Sequence, residues 1–223
     1  MNNSGFILIN KPAGPTSHDI VDELRTKTGI QKIGHAGTLD PFAEGLLILL
    51  VGDYTKKQPY FLNLPKKYDA VLRLGIESDT HDIEGSLREN NPESYPLRED
   101  VEQVLDKFRG KIKQMPPEYS AIKIGGKKSY EAAREGTILP LNTRDVEIYN
   151  LRVIWYKYPI LNLEIECSKG TYIRALARDI GHALHVGAIL TTLTRTGIGQ
   201  CSIENAVKLS DINNKNWQDF LLQ

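Results

Sequence analysis

The spacing of apolar positions changes several times along the chain, and each change marks an element. Residues 6–9 (FILI) form an apolar run stopped by Lys11-Pro12-Ala13-Gly14-Pro15, as expected of a strand entering a rigid turn. A helix is predicted next. Thr16 or Ser17 can cap it, Asp19, Asp22 and Glu23 lie in its early turns, Ile20, Val21 and Leu24 share a face, and Gly29 closes it. The glycine-bearing stretch IGHAGTLDPFAEG then runs directly into LLILLV, which reads as a buried strand. Residues 68–74 (YDAVLRL) form another strand candidate, followed by an acidic, turn-rich stretch through Pro96. Val101, Val104, Leu105 and Phe108 return to helical spacing, with Gly110 as the stop.

The segment KQMPPEYSAIKIGGKKSYEAAREG opens with two prolines, carries a Gly-Gly turn and ends in a short helix stopped at Gly136. It reads as an arm inserted at about 113–143 in an otherwise continuous core. Residues 144–167 read as two or three strands with a turn at Tyr158-Pro159. Residues 171–185 read as a helix with Ile173, Leu176, Ala177, Ile180 and Leu184 inward, and TLTRTGIGQCSI as a last strand. Strands mingle with helices without regular βαβ alternation and without internal repeats. The expected class is therefore α+β, with a mixed, largely antiparallel sheet flanked by helices.

Composition changes this picture little. A chain of 223 residues can bury roughly 70% of the surface its unfolded form exposes, so it needs no disulfide or metal to fold. With 40% hydrophobic and 25% charged residues it falls outside collagen-like, coiled-coil and disordered compositions. The longest uninterrupted apolar run is residues 46–51, too short to span a bilayer, and the first residues lack a basic segment followed by an apolar core. A cytoplasmic location without membrane attachment is the expectation. Cys167 and Cys201 lack the spacing of a metal knuckle or redox pair and are expected to be reduced thiols in or near the core.

Charge is informative in its distribution. The net charge is zero, but residues 77–106 hold ten acids against Arg88 and Arg98, while residues 107–134 hold eight bases against Glu118 and Glu131. A neutral protein can thus present a basic face to a phosphate backbone while an acidic face points away, although two solvated faces without a partner would give the same pattern.

Candidate chemistry starts with Asp40, an acid before a proline in a loop containing Gly34 and Gly37. By itself it reads first as a turn former. Arg174 falls in the first turn of a helix whose inward face includes Ile173, where a partly buried guanidinium requires a carboxylate partner. SKGTY, just before it, offers Lys169 and backbone N–H groups near a helix N-terminus, and Lys11-Pro12 makes a third positive corner. Nucleophile-elbow, phosphate-loop, zinc-protease and dinucleotide motifs are all lacking. His182 and His185, three apart, read as a helix-end feature rather than a metal pair, and no metal site is expected.

KPAGPTSHD, GHAGTLDPFAEGLLIL, KKYDAVLRLG, PPEYSAIKIGGKKSYEAAREG and CSKGTYIRALARDIG occur in the order of the motifs of the TruB-type tRNA pseudouridine synthases, and by these the chain resembles that family from about Gly5 to Val207. The resemblance implies a pseudouridine synthase fold with a central catalytic cleft. The implied reaction isomerises uridine 55 in the tRNA T-loop by flipping the base, breaking N1–C1' and joining C5 to C1'. A carboxylate can relieve the electron deficiency at the sugar by adding to C1', by stabilising it or by removing the 2' proton.

Residue by residue, Asp40 matches the family's catalytic aspartate, Arg174 its paired arginine and Tyr68 the tyrosine that meets the flipped base. His35 matches the histidine that fills the vacated space, and Lys11, Pro12, Tyr172 and Leu193 match pocket residues. Lys169, from its place before the helix, joins the expected RNA contacts. Lys123, Lys127 and Lys128 fall in the arm that closes over the RNA. The implied partner is the T-stem-loop of tRNA, bound by a monomer with no cofactor, since the isomerisation is redox-neutral. Two departures stand out: no C-terminal PUA-like RNA-binding domain is expected within residues 1–223, read as a single catalytic domain, and Glu44 occupies a position where many relatives carry a small residue. A non-catalytic tRNA-binding or folding protein and a guide-RNA-dependent synthase are the alternatives.

Overall fold

An unbroken apolar run needs cover on both faces, and residues 46–51 receive it, each with 0% of its surface exposed. A computed structural model describes residues 4–92, 94–120, 123–125, 127–129, 132, 137 and 139–223. Its first strands and helices are β1 (Gly5–Lys11), α1 (Ser17–Thr28), β2 (Ile33–His35), β3 (Glu44–Val51), α2 (Gln58–Asn63) and β4 (Lys66–Leu74). There follow β5 (Ile76–Ser78), β6 (Leu87–Glu89), α3 (Arg98–Asp106), β7 (Gly110–Gln114), β8 (Lys123–Ile124) and β9 (Lys127–Lys128). The chain continues through β10 (Arg144–Lys157), β11 (Ile160–Cys167), α4 (Ile173–Ala183), β12 (Ala188–Ile198) and β13 (Cys201–Ser202). This is an α+β structure with mixed strand pairing, and it divides into two compact units, Met1–Asp69 with Thr192–Gln223, and Ala70–Thr191.

The first unit is organised around β3. Antiparallel β1 runs beside it from Gly5↔Val51 to Lys11↔Gly45, β2 pairs with its far end, and β12 joins its start in parallel through Arg195↔Gly45. Alternation sends Leu47, Leu49 and Val51 to a cluster with Ile20, Val21 and Leu24 of α1. Leu46, Ile48 and Leu50 go to another with Leu8, Phe61 and Ile198. The expected helix is α1. Thr16 and Asp19 form a capping box, and Gly29 ends the helix in the left-handed conformation. Gly45 permits the close meeting with β12: its φ is +103°, and a Cβ there would lie 2.4 Å from the carbonyl oxygen of Arg195.

Residues after β13 close the unit. Phe6 and Leu222 exchange backbone hydrogen bonds of 2.9 Å, Val207 bonds to Leu8 and Asn10, and Trp217 is buried in the α1 cluster. The outer edge of β1 is thereby occupied by the chain's own tail.

In the second unit β7, β10 and β11 pair antiparallel, with the expected turn at Tyr158-Pro159 between β10 and β11. The predicted helix through Phe108 stops at Asp106, because Lys107 to Arg109 turn away through backbone bonds that reach back three residues and Gly110 takes φ +81° to open β7. The helix predicted over 171–185 is the shorter α4. Buried Gln114 clasps its start, accepting from the Tyr172 N–H at 2.8 Å and donating to the Tyr172 carbonyl at 3.1 Å. β8 and β9 pair antiparallel, with Gly125 at φ +59°, while Gly126 of the expected Gly-Gly turn lies outside the described residues. The helix expected to stop at Gly136 falls mainly outside the described residues. Among the described residues no helix is long and apolar enough to cross a membrane.

Leu49→Ala removes a side chain with no exposed surface. It is expected to destabilise the protein by about 2–5 kcal/mol, read as a lower denaturant midpoint with an unchanged slope.

Candidate active site

The loop between β2 and β3 is fixed on both sides of Asp40. Buried Ser17, the first residue of α1, donates from Oγ to the Leu39 carbonyl at 3.1 Å and accepts from the Leu39 N–H at 2.9 Å. On the other side, the Lys11 ammonium donates to the carbonyls of Pro12 (2.8 Å), Pro41 (3.2 Å) and Ala43 (2.7 Å). The Gly14 N–H also meets the Pro41 carbonyl at 2.8 Å, and the Ala43 N–H returns to the Asp40 carbonyl at 3.1 Å. Upstream, Arg195 of β12 donates to the carbonyls of Gly37 (3.0 Å) and Thr38 (3.5 Å) and, through Nε, to Leu46 (2.7 Å). Asp40 is therefore a half-buried carboxylate on a tightly tethered turn.

Electrostatics follow from burial. Lys11 ends β1 with 0% of its surface exposed, and its pKa falls to about 8. Burial is the main cause; the Arg195 cation adds to the fall, while the Asp40 carboxylate above all, with Glu44 and Asp19, resists it. His35 is held below its ordinary value by burial and then by Arg195, so it is neutral at pH 7. Its Nδ1 is buried and makes no hydrogen bond among the described residues; a backbone contact with Gly37 favours the charged ring without meeting hydrogen-bond geometry. Tyr68, on the inward face of β4, is 8% exposed and favours the charged form of the Arg195 guanidinium. Leu193 is buried on β12, whereas Pro12 is exposed. Glu44 is exposed, and its Oε1 accepts from Thr194 Oγ1 at 3.2 Å.

The second unit holds the other expected residues. Arg174, in the first turn of α4, is 6% exposed. It donates to the carbonyls of Thr80 (3.0 Å) and Tyr119 (2.9 Å), and its Nη1 lies 3.4 Å from the buried carboxylate of Asp82. Asp82 thus gives this buried guanidinium a carboxylate partner. Close by, His81 is pushed down to about 4, by burial first and then by Arg178 and Arg174. Tyr172 is the N-cap residue of α4, with the Arg144 guanidinium 5.1 Å from its ring centroid. Lys169 is exposed in the loop before it. Lys123, Lys127 and Lys128 contribute backbone to β8 and β9, and their side chains lie outside the described residues. His182 stands at the end of α4, 3.4 Å from Glu77. Cys167 is buried, Cys201 is half-buried, and both are free thiols.

Arg195 and Asp82 were not singled out from the sequence, and Ser17 only as a possible helix cap. A signal for Arg195 existed: Leu193, Arg195 and Gly197 alternate inward along β12. Ile7, Ile9 and Lys11 do the same on β1.

The family model for TruB family pseudouridylate synthases (N terminal domain) matches residues 25–173. The tRNA pseudouridine synthase B of Clostridium tetani is 42% identical over 98% of this chain and 76% of its own. That of Protochlamydia amoebophila is 45% identical over 94% and 79%. Among solved structures, a chain from a Cbf5-Nop10-Gar1 complex superposes with a TM-score of 0.73 at 29% identity. A chain from an H/ACA ribonucleoprotein bound to a substrate RNA containing 2'-deoxyuridine gives 0.70 at 26%. Each covers 93% of this chain, which spans only about half of theirs, 53% and 51% respectively.

The Lys11 side chain is expected to titrate near pH 8 by NMR of its ε-carbon, and lower still in Asp40→Asn, because the carboxylate that favours the ammonium form is gone. A midpoint unmoved by that substitution would separate the two groups electrostatically.

Proposed function

The chain belongs to the TruB family of pseudouridylate synthases, and from that premise we propose that it isomerises uridine to pseudouridine at position 55 of the tRNA T-loop with Asp40 as the catalytic carboxylate. The observation that carries the assignment of Asp40 is its turn, tethered by Ser17, Lys11 and Arg195 on either side of the carboxylate. A simple turn former needs no such anchoring. A group that must meet one sugar carbon within a fraction of an ångström does.

In the reading proposed, the T-loop uridine leaves its stack before reaction, and neutral His35 occupies the space left behind. The N1–C1' bond breaks, Asp40 relieves the deficiency at the ribose, the uracil turns, and C5 joins C1'. The C5 proton is then lost and N1 regains one, so the product is an isomer of the substrate. Tyr68 and Arg174 are the other catalytic residues of the proposal. Leu193, Tyr172 and Pro12 are the residues proposed to contact the target nucleoside, and Lys11 supplies positive potential beside Asp40. Lys169 and the arm lysines Lys123, Lys127 and Lys128 meet phosphates. The setting proposed is cytoplasmic, with the enzyme acting as a monomer. Stand-alone action on tRNA is favoured over guide-RNA dependence because identity to the tRNA enzymes exceeds 40% over nearly the whole chain, against 29% or less for the ribonucleoprotein chains.

Asp40→Asn is expected to abolish tritium release from tRNA labelled at uridine C5 while tRNA binding persists; release at the wild-type rate would remove Asp40 from the mechanism. Replacing both Lys127 and Lys128 with Ala should weaken tRNA binding and flatten the dependence of log K on log salt, by roughly one unit of slope for each phosphate no longer neutralised. An unchanged slope would count against phosphate binding by the arm.

A further inference from the structure

Arg195 does more than a loop clamp requires. Its side chain is fully buried and set in the alternating inward row of β12. Its described hydrogen-bond partners are the carbonyls of Gly37, Thr38 and Leu46, and the Tyr68 phenol favours its charge. Gly37 and Thr38 lead into Asp40, and Leu46 begins the buried run on the other side of it. Tyr68 comes from a different strand. A guanidinium can serve all of these at once because its N–H groups are fixed in one plane and diverge. Its charge also reaches beyond its hydrogen bonds, since it opposes protonation of both Lys11 and His35.

Resting on the reading that Asp40 and Tyr68 act on the target nucleoside, we propose that Arg195 is a positioning residue of the isomerisation. It is a buried cation that ties the Asp40 turn and the Tyr68 phenol into one rigid arrangement. Carboxylate and phenol then keep a fixed register while the uracil detaches, turns and reattaches. Gly45 belongs to the same device, since the close backbone approach it permits lets β12 deliver the guanidinium beneath the loop.

The test compares Arg195→Met and Arg195→Lys with Asp40→Asn on a tRNA transcript carrying tritium at uridine C5. Single-turnover release, tRNA affinity and folding by circular dichroism are measured for each. Arg195→Met is expected to bind tRNA within about twofold of wild type yet release tritium about 100-fold more slowly, the scale of a small misplacement of reacting groups. Arg195→Lys keeps the charge and part of the donor set, and should recover a substantial part of that loss. With 3-fluorotyrosine incorporated, the Tyr68 fluorine line, assigned by its loss in Tyr68→Phe, should move in both Arg195 variants. Wild-type release by folded Arg195 variants, with Asp40→Asn inactive in the same assay, would overturn the inference and leave the assigned reaction standing. Activity in Asp40→Asn would instead overturn the role of Asp40 itself. Should neither Arg195 variant fold, Tyr68→Phe in protein carrying nitrogen-15 arginine decides the matter. The Arg195 guanidinium resonances, Nη as well as Nε, must shift when the phenol oxygen is removed, and an unmoved set refutes the link.

Discussion

Burial of β3 on both faces is the constraint from which the first unit follows. A strand whose consecutive side chains from Leu46 to Val51 are all withdrawn from water cannot slip by one residue, because either face would then lose its complement. α1 and the tail with Trp217 cover one side, while Phe61 and Ile198 cover the other. The register of β3 therefore fixes where the preceding loop ends, and with it the height at which Asp40 leaves the sheet. Precision at the carboxylate is inherited from a hydrophobic strand with no chemistry of its own.

Two buried cations complete that inheritance in the same manner. Lys11 and Arg195 sit at inward positions of β1 and β12, and both hydrogen-bond mainly to backbone carbonyls of the loop and its flanks. Carbonyl oxygens stabilise a buried positive charge without cancelling it, so the region around Asp40 keeps a positive potential. The lowered pKa values of Lys11 and His35 and the ionic environment of Asp40 are consequences of one arrangement. Arg174 follows another rule, with Asp82 beside it in the second unit as well as two carbonyls.

Much of this was legible in the sequence where local chemistry and tertiary demand agree. The α1 boundaries could be read because Thr16, Asp19 and Gly29 have capping roles whatever surrounds them. LLILLV could be read because no exposed strand carries so many consecutive apolar residues. Phe108 misled because helical spacing continues two positions past Asp106, where the helix ends and the chain turns toward Gly110. Asp40 and Lys11 could be noted from the residues as a turn former and a positive corner, but their roles came from motif resemblance. Arg195 escaped because a charged residue in an alternating strand reads as solvent-facing unless its parity with Leu193 and Gly197 is counted. The partnership of Arg174 with Asp82 joins residues distant in sequence, and no local pattern announces it.

The three carbonyls around Lys11 carry a last implication. An ammonium group has three protons to give, and here all are already given to the fold. Such a lysine has no free hand with which to grasp a phosphate, so it differs in kind from the lysines proposed for the arm. It works as a standing charge, reducing the electrostatic work of bringing any polyanion toward the loop while expressing no preference among nucleotides. Recognition of the particular uridine must then be the business of other groups.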